Sequence, residues 1–156
     1  MLRRALKITH NFSVALVRPA SYSFSPVQRM REENEELKRK RLFWQSRKRG
    51  ITENDLLLGT FADQYLKDFT MEQMLAYDRI INSTVYDPTV TEWDLYYWFV
   101  EERPYPEDLI KDVELTAEYA QEKIDGVREM MEMIIEHSKN KKRDIIVQPK
   151  FNKAFV

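Results

Sequence analysis

The chain contains no cysteine, which removes disulfides, thiolate nucleophiles and cysteine-based metal sites together and leaves packing to hold the fold. Glycine is nearly as scarce. Gly50, Gly59 and Gly126 are the only three in 156 residues, too few for an architecture of many short strands joined by tight turns. The two histidines, His10 and His137, stand near opposite ends of the sequence; with no partner at metal-ligand spacing they read as solvated surface groups. No apolar run approaches the roughly 20 residues that a membrane-spanning helix needs. A Gly-rich phosphate loop, a Ser-His-Asp set and a His-Glu zinc pattern are all missing. An enzyme reading therefore has no named catalytic parts, and no metal or cofactor of the chain's own is expected.

What is present favours helices around one core. Apolar residues make up 43% of the chain and charged residues 33%, a mixture too rich in apolar and aromatic side chains for a disordered polymer. The net charge of −1 hides an asymmetry. Arg3, Arg4, Lys7, Arg18, Arg29 and Arg31 give residues 1–31 a charge of +6 with no acid among them, which leaves residues 32–156 at −7. In Met1–Ser25 the basic residues alternate with Leu2, Leu6, Ile8, Phe12, Val14 and Leu16 among recurring Ser and Thr. That is the composition of a mitochondrial transit peptide, so residues 1–25 are expected to be an address and the mature chain a protein of the mitochondrial matrix.

Helix starts are legible from capping chemistry, in which a side-chain oxygen accepts an orphan backbone N–H and the residue three places on reciprocates. Ser25 with Gln28, and Pro26 at the first helical position, predicts a charged helix running through Arg49, where Gly50 permits a turn. Thr52 with Asp55 predicts a second helix, with Leu58, Ala62, Tyr65, Leu66 and Phe69 at three- and four-residue steps. Thr70 with Gln73 predicts a third, offering Met74, Leu75, Tyr77 and Ile81 for burial. Thr91 with Asp94 predicts a fourth, whose Trp93, Leu95, Tyr96, Trp98 and Phe99 suggest the centre of the core. Beyond Pro104 and Pro106, residues 107–138 read as one long helix. Within it Val113, Ala117, Ala120, Ile124, Val127, Met131 and Ile134 form a heptad seam, which either packs back on the bundle or offers a partner surface. The expected organisation is thus all-α and compact, with a helical bundle core at 26–110, an extended C-terminal helix at 111–140 and a basic and apolar tail at 141–156.

Among the charged segments, Glu32, Glu33, Glu35 and Glu36 read as solvated helix surface. The segment Lys38–Glu53 is more informative: seven of its first twelve residues are basic, interleaved with Leu42, Phe43 and Trp44, and the basic run ends at the Gly50 turn. Such a run suits a docking patch for another protein, a merely solvated basic face, or an RNA-binding surface with Trp44 stacking on a base.

Within this segment, Arg49-Gly50-Ile51-Thr52-Glu53, preceded by Gln45-Ser46-Arg47-Lys48 and followed by Asp55-Leu56-Leu57-Leu58 and Phe61, resembles the RGxxE signature of the succinate dehydrogenase assembly factor 2 family of flavinylation factors. The likeness continues through Tyr77-Asp78-Arg79-Ile80-Ile81, Asp87-Pro88 and Asp94-Leu95-Tyr96-Tyr97-Trp98, and covers roughly residues 38–110. Thr52 and Asn54 depart from the family pattern, as does the length of the C-terminal region.

The resemblance implies a small five-helix bundle, monomeric when free, that binds the flavoprotein subunit of succinate dehydrogenase and promotes covalent attachment of FAD to a histidine of that subunit. The client then holds the FAD, and neither nucleic acid nor a membrane span takes part. On this reading Arg47, Lys48, Arg49, Gly50, Glu53 and Asp55 form the partner-binding set. Arg49 is expected to face outward and bind a client carboxylate or carbonyls, Gly50 to let backbones approach, and Glu53 to accept from client donors. An Arg49–Glu53 pair at i,i+4 is the plainer structural alternative. At the level of the whole chain, the alternative function is an RNA-binding or general helical adaptor using the basic Lys38–Arg49 face.

Overall fold

The computed structural model describes residues 33–110, 126–141, 145 and 147–150; the proposed leader, its Ser25–Gln28 cap and residues 111–125 of the heptad seam lie outside them. The described residues are all-helical, as expected. Five helices of two turns or more account for most of them: α1 Glu35–Ser46, α2 Thr52–Tyr65, α3 Met71–Ile81, α5 Glu92–Phe99 and α7 Val127–Ser138. Single turns, α4 Ser83–Tyr86 and α6 Glu107–Ile110, fill two of the connections, and a 3-10 turn, Leu66–Asp68, extends α2.

Two of the capping boxes form as read. The Thr70 hydroxyl accepts from the Gln73 N–H while the Gln73 side chain accepts from the Thr70 N–H, and Thr91 and Asp94 repeat the arrangement at α5. Two boundaries differ from expectation. Helix α1 starts at Asn34, whose side chain accepts from the Leu37 N–H at 2.9 Å, and stops at Ser46 instead of running through Arg49. The Ser46 hydroxyl turns back to the Leu42 carbonyl (2.7 Å) and shares a hydrogen bond with the buried Tyr77 hydroxyl (2.7 Å). Helix α2 has no side-chain cap: Ile51 precedes it, and the Asp55 carboxylate that was to pair with Thr52 bonds elsewhere.

The core draws on every long helix. Leu42 and Phe43 from α1, Leu58, Phe61 and Ala62 from α2, Met74, Tyr77 and Ile81 from α3, Leu95 and Phe99 from α5, and Met131 and Ile134 from α7 are all buried. Each large side chain among them contributes about 1.5–3 kcal/mol by leaving water. Phe61 stacks on Tyr77 with centroids 5.4 Å apart and meets Phe69 edge-on at 6.1 Å, in the offset and tilted geometries aromatic quadrupoles prefer. In α5, Leu95, Trp98 and Phe99 reach the core, whereas Trp93 stays 46% exposed and lies outside it, correcting its expected place at the centre.

The predicted unbroken helix at 107–138 is also corrected. Gly126 has φ +79°, a left-handed conformation that only glycine adopts without a Cβ penalty, and α7 begins immediately after it. The described half of the seam, Val127, Met131 and Ile134, packs back on the bundle against α3, α2 and α5.

Candidate functional site

The corner between α1 and α2 positions the six residues singled out in the sequence. Its backbone is tied down locally: the Arg47 N–H donates to the Trp44 carbonyl (3.1 Å), and the Arg49 N–H donates to Asp55 Oδ1 (2.6 Å). Asp55 thus closes the corner from the first turn of α2, where a carboxylate also opposes the positive end of the helix dipole.

The Arg49 guanidinium turns inward, contrary to the expectation that it would face a partner. Its side chain is only 6% exposed. Nη2 donates to Glu92 Oε1 (2.7 Å) and to the Ile81 carbonyl (2.6 Å), and Nε donates to Glu92 Oε2 (3.2 Å). Ile81 is the last residue of α3, whose carbonyl has no helical donor; Glu92 is the first residue of α5. One side chain therefore ties the end of α3 and the start of α5 to the α1–α2 corner. Glu53 takes no part, so the i,i+4 alternative does not form either.

Asn54 is fully buried and reinforces the knot: its Nδ2 donates to the Glu92 carbonyl (2.8 Å) and to Glu92 Oε2 (2.9 Å). Gly50 has no left-handed φ. Its reason is space, because a Cβ there would stand 3.0 Å from Glu92 Cγ, closer than side chains normally approach. Beneath the corner, burial pushes the Tyr77 hydroxyl well above the usual tyrosine range, opposed by its Ser46 hydrogen bond and by the charge of Arg49.

On the outer side, Lys48, Gly50 and Glu53 are exposed. The Lys48 ammonium lies 5.8 Å from the centre of the Trp44 ring, which is itself 53% exposed. Glu53 borders a shallow groove of about 210 Å³ shared with Leu56, Leu57, Tyr96, Val100 and Ile145. Arg47 covers the Phe43 ring at 5.4 Å and donates from Nη2 to the Pro149 carbonyl (2.6 Å). The structure thus brings all six residues together, as three accessible groups on a frame made by the other three. Glu92 and Asn54 carry that frame and were missed in the sequence, where Glu92 reads only as a first-turn acid.

Most of the basic run is likewise engaged internally. Lys38 is buried, with its Nζ 3.4 Å from Asp78 Oδ2 and 3.9 Å from Glu33 Oε2. Arg41 forks onto Asp78 (2.5 and 2.9 Å) and Glu33 (2.8 and 2.9 Å). Although burial alone favours the neutral guanidine, these two carboxylates hold its pKa above the ordinary arginine value. Glu33 is therefore part of an ionic cluster and not free helix surface. Arg39 donates to the Leu66 and Phe69 carbonyls and to Glu35, and Lys40 pairs with Glu36 at 3.0 Å. A surface that reads phosphates needs cationic heads free to release counterions; this segment has committed five of its seven to the fold, and Lys40 and Lys48 stay at the surface. Among the described residues no group of His, Cys, Asp or Glu could hold a metal ion, and no helix is long and apolar enough to cross a membrane.

A family model described as flavinator of succinate dehydrogenase matches residues 40–138. The chain is similar to succinate dehydrogenase assembly factor 2-A, mitochondrial, of Drosophila persimilis, with 44% identity over 108 residues, 69% of this chain and 54% of that protein. It is 47% identical over 78 residues to the 2-A protein of Drosophila mojavensis, covering 50% of this chain and 46% of the relative. With the 2-B protein of Drosophila yakuba it shares 49% over 71 residues, 46% and 42% of the two chains. The chain thus spans about half the length of the curated relatives it matches.

Proposed function

The chain belongs to the succinate dehydrogenase flavinator family, also named assembly factor 2, and from that premise we propose that it binds the flavoprotein subunit of succinate dehydrogenase in the mitochondrial matrix and promotes covalent attachment of FAD to it. In this reading the chain supports maturation of complex II without catalytic residues or a cofactor of its own; the client holds the FAD and supplies the attachment residue. The basic leader supports the location.

The observation that carries the proposal is the division of labour at the α1–α2 corner. The Gly50 backbone and the Glu53 carboxylate stand exposed on a corner that the buried Arg49–Glu92–Asn54 knot holds fixed. Prearranged acceptors on a rigid element bind with less ordering cost than a loose loop. Lys48, Gly50 and Glu53 are the contact residues; Arg49 is a positioning residue that acts through Glu92, and Asp55 and Arg47 hold the corner's backbone.

Promotion follows from preferential binding. If FAD attachment needs a client arrangement that is sparsely populated, a partner that prefers it by about 2.7 kcal/mol raises its population roughly a hundredfold. The free factor is a monomer and the complex one-to-one. Size-exclusion chromatography of the factor mixed with purified flavoprotein subunit tests this. A Glu53→Arg, Lys48→Glu variant is expected to keep its helical circular dichroism and lose co-elution; co-elution at wild-type strength would overturn the assignment of the docking face.

A further inference from the structure

The corner that presents Lys48, Gly50 and Glu53 is already touched, through its framing residues Arg47 and Asp55, by the chain's own segment at 148–149. Gln148 Nε2 donates to the Arg47 carbonyl and to the Asp55 carbonyl, both at 3.2 Å, and the Pro149 carbonyl accepts from Arg47 Nη2 at 2.6 Å. The Arg47 carbonyl lies at the end of α1, where helical donors have run out, so the glutamine amide meets a real demand there. Gly59 makes the seat. A Cβ on it would stand 3.6 Å from both Cγ and Nε2 of Gln148, so a longer side chain in the middle of α2 would fill the space the glutamine occupies. Closer to α7, the Ile145 N–H donates to Asn140 Oδ1 (3.2 Å) and Ile145 lines the groove beside Glu53 and Leu56.

Two of the three bonds from Gln148 and Pro149 are neutral, and all three involve partly buried groups at the surface. Water or another chain can replace such bonds one for one. We propose that residues 147–150 are an autoinhibitory strap: they occupy Arg47 and Asp55 in the free protein and must leave before the flavoprotein subunit seats on the corner. This rests on the docking reading above and adds its regulation. A strap closed for about nine-tenths of the time lowers the apparent affinity about tenfold, because only the open fraction is competent to bind.

The absence of native cysteine allows a clean test with the full chain, in which Gly59→Cys and Gln148→Cys together pin the strap when oxidised. Binding of the isolated flavoprotein subunit is measured by biolayer interferometry for the wild type, the oxidised and reduced pair, and Gln148→Ala. The strap predicts that the oxidised pair loses at least tenfold in affinity, that reduction restores binding, and that Gln148→Ala binds several-fold tighter than wild type. A pair that refuses to cross-link under mild oxidant, an oxidised pair that binds as well as the reduced one, or a Gln148→Ala variant that binds no tighter overturns the strap. If wild type binds in those cases, the docking reading survives; if no variant binds at all, the docking reading falls and the strap's competition falls with it.

Discussion

Arg49 grips Glu92 across 43 residues of sequence, with Nη2–Oε1 at 2.7 Å, while the backbone of the neighbouring Gly50 remains open to solvent. The guanidinium at the heart of the signature is thus a brace, and the exposed groups beside it depend on that brace for their position.

Removing one side of a well-buried ion pair leaves the other charge uncompensated. Arg49→Ala is therefore expected to cost about 2–4 kcal/mol, below the full range for a buried pair because Glu92 is partly exposed and keeps its Asn54 bond. Arg49→Ala with Glu92→Ala should cost less than the sum of the two single changes. Urea denaturation of the four proteins in the cycle measures the coupling; strict additivity would mean that the pair does not brace the corner.

Gly50→Ala places a Cβ 3.0 Å from Glu92 Cγ and is expected to lower stability by about 1–2 kcal/mol as an overpacking change. Gly50→Glu adds a second carboxylate against Glu92 and should weaken both stability and client binding more. Thermal melts and the chromatographic binding assay distinguish the two; a Gly50→Glu protein with wild-type melting and binding would contradict the close approach to Glu92.

The buried carboxylate of Asp78 answers two cations, Lys38 and Arg41. Asp78→Ala should cost about 3–5 kcal/mol because both are left facing a smaller negative charge. Lys38→Met, which removes a buried cation and leaves the Arg41 fork in place, should cost distinctly less. Chemical denaturation with the order reversed would show that the cluster is not organised around Asp78.

Acid should loosen the start of α5. Hydrogen bonds from the Thr91 hydroxyl and backbone, helped by Arg103, hold the Asp94 carboxyl below the usual carboxylate range. A carboxylate depressed in the folded state stabilises fully above its unfolded value of about 3.9 and loses that contribution as pH falls through the lower folded value. An NMR titration should find Asp94 titrating below a model aspartate, and Asp94→Asn should flatten this part of the acid stability limb. An unshifted Asp94 would remove the prediction.

Local chemistry was the legible part of the sequence. The boxes at Thr70 and Thr91 depend on residues three apart, and the buried faces of α2 and α3 follow from one-turn periodicity, so both could be read without a fold. Thr52 and Asp55 had the same spacing, yet Ile51 takes the cap position, Asp55 accepts from the Arg49 N–H instead, and the box did not form. Glu92, Asn54 and the Gln148 contact join segments 38 or more residues apart, and no periodicity announces such partners. The basic run misled for the same reason: charge is visible in sequence, but Glu33 and Asp78, which absorb it, are recognised only once α1 lies on α3. That the six residues from Arg47 to Asp55 share one corner was legible; the inward turn of Arg49 was not.

The most direct test of the account is covalent flavinylation itself. Purified apo flavoprotein subunit is incubated with FAD and wild-type factor, or with the Glu53→Arg, Lys48→Glu variant, and covalent flavin is read by in-gel fluorescence after denaturation. The account predicts a strong gain with wild type and little above the factor-free level with the folded variant. An equal signal with wild type, variant and no factor would contradict it.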